Sequence, residues 1–216
     1  MKKNTLKKRI VTSIVLILLI FLIFNSLYLM ILSLIILGIL SILEFLSLTR
    51  KIFKKKIFYI ISNLAFIIFI SIFSISFFIL YNFNESKFIL LVLLIGCVAS
   101  DIGGFIVGKL FKGPKLITIS PKKTISGSIG SFVLTCLATS GLIYFETNII
   151  NFFILVIGLM ISLYCQAGDL FFSFLKRKAK LKDTGNFLPG HGGVLDRLDG
   201  IFFGIPLGFI TIILFL

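Results

Sequence analysis

Residues 173–199 read SFLKRKAKLKDTGNFLPGHGGVLDRLD. Six cations, three carboxylates, four glycines and the only histidine of the chain fall within this stretch. The chain turns apolar on both sides of it, over 149–174 before and 200–216 after. A polar island between two such runs predicts a loop between membrane spans, because about 20 apolar residues suffice to cross the hydrocarbon of a bilayer.

Working outward, the same alternation continues to the N-terminus. The 216 residues are 58% hydrophobic with a mean hydropathy of +1.17, well above the 45–50% usual for a soluble domain. Seven spans are expected, at about 10–24, 27–48, 57–81, 88–108, 127–145, 149–174 and 200–216. The fold class is therefore all-α, a polytopic transmembrane helical bundle. A β-barrel is not expected, because its strands alternate apolar and polar residues and these runs are continuously apolar. One integral-membrane domain over 1–216 is expected. Residues 1–100 would supply the N-terminal spans, and 101–216 a half that carries the chemistry on loops 109–126 and 175–199. The first run follows Lys2, Lys3, Lys7, Lys8 and Arg9, like the start of a signal peptide. No small-residue cleavage site follows, and a second run begins after Asn25 and Ser26, so a retained first helix in a tight hairpin is expected.

The cations partition cleanly. With seven spans, the N-terminal tail, segment 49–56, loop 109–126 and the loop after span six share one side and hold 21 of the 22 Lys and Arg residues, with Lys87 opposite. The positive-inside rule makes that side cytoplasmic and the N-terminus with it. The net charge of +14 is then mostly topology plus attraction to anionic lipid. Nucleic acid is not an expected partner, since no aromatic-interleaved basic surface is present. Cys97, Cys136 and Cys165 lie inside apolar runs at spacings that match neither a disulfide framework nor a metal site.

Among the eight acidic residues, Glu85 and Glu146 read as solvated loop charges, and Glu44 as a partner for a Lys or Arg of the segment after span two. Asp101 lies deep in span four and Asp169 near the inner end of span six, where a carboxylate is costly and points to function. Gly103 and Gly104 would let a helix or a ligand approach closely. Asp196 and Asp199, three apart at the start of span seven, would share a helix face. Carboxylates with oxygen-only neighbours suit Mg²⁺, which bridges one or two of them to substrate phosphates, with a second cation kept open. No Cys/His set exists for zinc.

The two loops supply the rest. Ser120-Pro121-Lys122-Lys123-Thr124, followed by Ser126-Gly127-Ser128, sets lysines and hydroxyls at a helix start, a way to hold phosphate, without a Walker A order. Lys176-Arg177, Lys182-Asp183 and Pro189-Gly190-His191-Gly192-Gly193 precede Asp196-Arg197. Metal-binding carboxylates beside phosphate-binding cations at the cytoplasmic interface predict phosphoryl or nucleotidyl transfer to a lipid, in which positioning and charge neutralisation do most of the catalysis.

These residues carry a resemblance. The order Ser173, Lys176-Arg177, Lys182-Asp183, Leu188-Pro-Gly-His-Gly-Gly, Asp196-Arg-x-Asp199 resembles the signature of phosphatidate cytidylyltransferases, also called CDP-diacylglycerol synthases. Asp101-Ile-Gly-Gly-Phe and Ser120-Pro-Lys-Lys-Thr are similar to two further stretches of that family. The matched regions cover about 60 residues, roughly a quarter of the chain. Two stretches depart from the pattern: Phe172 stands where the family has Glu, and Ile125-Ser126-Gly127 where it has Trp-Glu-Gly. The chain is also short beside the family, and lost or shortened spans in its N-terminal half are expected.

The resemblance implies that CTP and phosphatidic acid, with Mg²⁺, give CDP-diacylglycerol and pyrophosphate in phospholipid biosynthesis, at a bacterial inner membrane with the site facing the cytoplasm. It implies Asp169, Asp196 and Asp199 as metal ligands. Lys182 and His191 would join them in catalysis. Asp101, Ser120, Lys122, Lys123, Thr124, Ser173, Lys176, Arg177 and Arg197 would bind substrate. A homodimer is kept open. Three alternatives stand beside this reading: a CTP-dependent enzyme for another lipid phosphate or polyprenol, a catalytically impaired relative, and a transporter using Asp101 and Asp169. The transporter would need matched internal repeats, and none is visible.

Overall fold

A computed structural model describes residues 24–82, 84–117, 120, 123–185 and 192–215. Almost all of the expected first span, together with Lys122, His191 and the side chain of Glu85, lies outside the described residues. Six helices occupy most of what is described: α1 (Leu27–Ile52), α2 (Lys56–Asn82), α3 (Asn84–Phe111), α4 (Ile125–Thr147), α5 (Phe152–Lys178) and α6 (Leu195–Phe215). All six are long and apolar enough to cross a membrane. The chain is an all-α, polytopic integral membrane protein.

The helices match the expected spans two to seven but extend beyond them. A helix of 27 residues, such as α5, is about 40 Å long at 1.5 Å per residue. That exceeds the roughly 30 Å hydrocarbon layer, so helix continues through the headgroup region, where cations are at home. Arg50 and Lys51 therefore form the last turn of α1, and Lys176, Arg177 and Lys178 the last turn of α5, rather than loop. Ser26 is extended and caps α1, which places a helix break at the expected hairpin position.

The described chain folds as two compact units, each assembled from separate stretches of sequence. The first takes the chain up to Ser74 and Leu175–Leu198. Here α1 and α2 meet through Phe45 and Phe66, whose rings stack at 3.9 Å, and through a buried hydrogen bond from Thr49 Oγ1 to Asn63 Oδ1 at 2.9 Å. The second unit takes Ile75–Phe174 and Asp199–Leu216. It packs α3, α4, most of α5 and most of α6 through small residues, as helices do where lipid removes the hydrophobic drive for association. At the α3–α4 crossing, a Cβ on Gly130 would collide with Val107 and lie 2.8 Å from the Gly103 carbonyl. Gly103 and Gly104 serve that crossing: added Cβ atoms would meet Gly130 and Ser131 of α4.

Candidate active site

Each unit holds a polar cluster. In the second unit, the chain between α3 and α4 folds back on itself. Leu116 N–H donates to the Lys123 carbonyl at 2.8 Å, Lys123 N–H to the Ser120 carbonyl at 3.0 Å, and Ile125 N–H to the Pro114 carbonyl at 3.0 Å. Lys112 and Gly113 turn the chain out of α3 with positive φ angles of 48° and 114°. Thr124 then caps α4, its hydroxyl accepting from Gly127 N–H at 3.1 Å. Ser126 donates to the Lys112 carbonyl and lies 3.0 Å from the Thr124 hydroxyl.

This fold-back delivers Lys123 to Asp169 of α5, Nζ to Oδ2 at 2.8 Å, with both side chains about a quarter exposed. The pair lies in a pocket of about 170 Å³ that Asp101, Thr124, Ser128 and Gln166 also line. Ser128 donates to Gln166 Oε1, and Gln166 Nε2 donates to Ser162 at 3.1 Å, so a polar chain leads from the pocket into the bundle. Ser173 follows Asp169 by one turn of α5, and the Asp199 carboxylate accepts from Gly200 N–H at 3.0 Å.

In the first unit the centre is Asp196. Its Oδ1 accepts from Lys176 Nζ at 2.7 Å. Its Oδ2 accepts from Thr184 N–H at 2.8 Å and Gly193 N–H at 3.1 Å, and the Thr184 hydroxyl lies 3.1 Å from it. Gly192 turns the chain into this arrangement with φ of 88°, which a residue with a side chain rarely adopts. Arg177 donates to the Leu181 carbonyl at 3.3 Å, and Lys182 and Arg197 are exposed. Glu44 corrects an expectation. It does not pair with a cation of the following segment. It is buried and accepts from Thr184, Val194 and Leu195.

Gln166 and Ser131 of the pocket wall were not among the expected site residues, while Ser128 was expected at the helix start. Their signal was a spacing: Gln166 and Asp169, and Ser128 and Ser131, are three apart and share a helix face. The wall suits Mg²⁺ by donor type, with two carboxylates, several hydroxyls and an amide oxygen. Among the described residues no three His, Cys, Asp or Glu side chains converge. Mg²⁺ does not need them, since it keeps waters and takes one or two carboxylates.

Residues 7–215 match the model of the cytidylyltransferase family. The chain belongs to the cytidylyltransferase family. Among its relatives, the phosphatidate cytidylyltransferase of Helicobacter pylori is 42% identical over 124 residues, 57% of this chain and 46% of that one. The Rickettsia felis enzyme of the same name is 40% identical over 141 residues, 57% of this chain and 59% of the other. The Staphylococcus aureus enzyme is 42% identical over 110 residues, 50% and 42% of the two chains. This member of the family thus matches about half the length of these relatives.

Proposed function

We propose that the chain transfers the cytidylyl group of CTP to phosphatidic acid, releasing pyrophosphate and forming CDP-diacylglycerol for phospholipid biosynthesis. The observation that carries this is the Lys123–Asp169 pair in an oxygen-lined pocket. A cation and a carboxylate held this way are poised to exchange each other for a phosphate and a metal ion. An oxygen of the lipid phosphate attacks the α-phosphorus of CTP, the bond from that phosphorus to the bridging oxygen of the β-phosphate breaks, and pyrophosphate leaves. No protein nucleophile is required, because the lipid phosphate is one.

Lys123 and Thr124 bind the phosphates entering the pocket. In the other unit Asp196 steadies Lys176, with Arg177 and Lys182 beside it in sequence. When bound, Mg²⁺ neutralises charge on the phosphoryl oxygens, and Asp169, with Asp101 or Asp199, would hold it. The Asp196 carboxylate accepts from Lys176 and from the Thr184 and Gly193 amides, so it holds Lys176 and the Gly192-Gly193 turn, and as the resemblance implies it would also be a ligand for Mg²⁺. The site faces the cytoplasm of a bacterial inner membrane, where CTP is available and the lipid arrives from the leaflet.

The test is conversion of radiolabelled CTP by purified protein in mixed micelles containing phosphatidic acid. Product that forms with Mg²⁺, vanishes with EDTA and falls at least a hundredfold in Asp169→Asn and Lys123→Ala is expected. Product from a polyprenyl phosphate but none from phosphatidic acid would replace the substrate. No product from a folded wild type on any lipid phosphate would overturn the reading.

A further inference from the structure

Glu44 is 3% exposed, and a buried carboxylate is costly unless donors meet its charge. Three do. Oε1 accepts Val194 N–H at 2.9 Å, and Oε2 accepts Leu195 N–H at 2.9 Å and the Thr184 hydroxyl at 2.7 Å. The two amides open α6, where a carboxylate also meets the positive end of the helix dipole. The carboxylate leaves no room for side chains around it. A Cβ on Gly185 would lie 2.6 Å from Oε1, and one on Gly193 would fall on Oε2 and on Thr184 Oγ1. The Thr184 hydroxyl has one proton and two carboxylates within reach, Glu44 at 2.7 Å and Asp196 at 3.1 Å. Glu44 takes the shorter bond. Thr184 N–H and Gly193 N–H are thereby left aimed at Asp196 Oδ2, while Lys176 meets Oδ1.

We propose that Glu44 is a positioning residue for the Asp196–Lys176 pair, rather than part of the packing of α1. It clamps residues 184–185 and 193–195 around one buried carboxylate, and so fixes the register in which Asp196 accepts Lys176. Glu44 itself touches no substrate. The proposal rests on the cytidylyl-transfer reading for its effect on rate, and on geometry alone for its effect on the clamp.

The test uses the full chain with Glu44→Gln, which keeps the volume but turns an NH₂ group toward a donor, together with Thr184→Val and Thr184→Ser. Expected is a tenfold to hundredfold rise in KM for CTP, the range for outer partners of a site, in Glu44→Gln and Thr184→Val. KM for phosphatidic acid should stay within twofold, and Thr184→Ser should behave as wild type. A fall in kcat alone, with KM for CTP unchanged in both variants, would mean only that less protein is folded, and would overturn the proposal. Amide exchange supplies an arm that needs no turnover: Val194 and Leu195 should exchange at least tenfold faster in Glu44→Gln. If wild type makes no CDP-lipid, cytidylyl transfer fails while the exchange arm still judges the clamp. Unchanged exchange at both amides would overturn it.

Discussion

Phe172 is fully buried, with ring centroids 5.2 Å from Phe171, 6.4 Å from Phe202 and 6.2 Å from Phe203. The resembling pattern carries a glutamate at this position, so restoring it is an obvious experiment. In this chain a carboxylate would enter a cage of phenyl rings. Phe172→Glu loses the packing of a large side chain and buries a charge, a cost of about 3–5 kcal/mol. A lower Tm in detergent and no gain in turnover are expected, and raised product at an unchanged Tm would show that the position still accepts an acid. Ser126, the other departure, is fitted too, its hydroxyl tying Lys112 to the Thr124 cap. Asp169 was legible by itself, as a carboxylate in an apolar run. Its partner was not, because Lys123 is one lysine among five in its loop and the pairing across 46 residues is set by the fold-back of the chain after α3.

At the scale of the element, the α3–α4 crossing decides where Lys123 and Thr124 stand. Gly130→Ala puts a methyl group against Val107 and the Gly103 carbonyl, and overpacking of this kind costs about 1–3 kcal/mol. Gly141 lies on the same helix with nothing near its missing side chain. There alanine should be neutral or stabilise by up to about 1 kcal/mol, since glycine is the poorer helix former. Paired thermal unfolding should therefore show a lower Tm for Gly130→Ala and an unchanged or higher Tm for Gly141→Ala, with activity lost only in the first. Equal shifts would show that the crossing is not tight. The glycines of α3 could be read from sequence as a close approach, but not whether helix or ligand was approaching. Helix centres were likewise legible and helix ends were not. Charge stops an apolar run, but it does not stop a helix whose backbone satisfies itself through the headgroup region.

At the scale of the whole molecule, the spans and their class followed from hydropathy, while the assembly of each unit from distant stretches did not. Glu44 shows why: its partners are 140 to 151 residues away, and nothing in the local pattern of α1 distinguishes a carboxylate that caps a remote helix from one that meets a neighbouring lysine. What hydropathy and charge do predict is orientation. Lys54, Lys115 and Lys182 are exposed, as is Asn148 at the left-handed cap that ends α4. If each described helix crosses the bilayer once, the three lysine segments are separated by even numbers of crossings and share a side, and Asn148 lies opposite. The positive-inside rule assigns the lysine side to the cytoplasm. Cysteines placed singly at these four positions, with the otherwise unmodified chain as control, should then divide under a membrane-impermeant maleimide. In intact cells only Asn148→Cys should react. Lys54→Cys, Lys115→Cys and Lys182→Cys should react only after the membrane is opened. Reaction of Lys115→Cys from outside would place Lys123 and its pocket away from cytoplasmic CTP, and an enzyme that must draw its nucleotide from the cytoplasm could not work in that orientation.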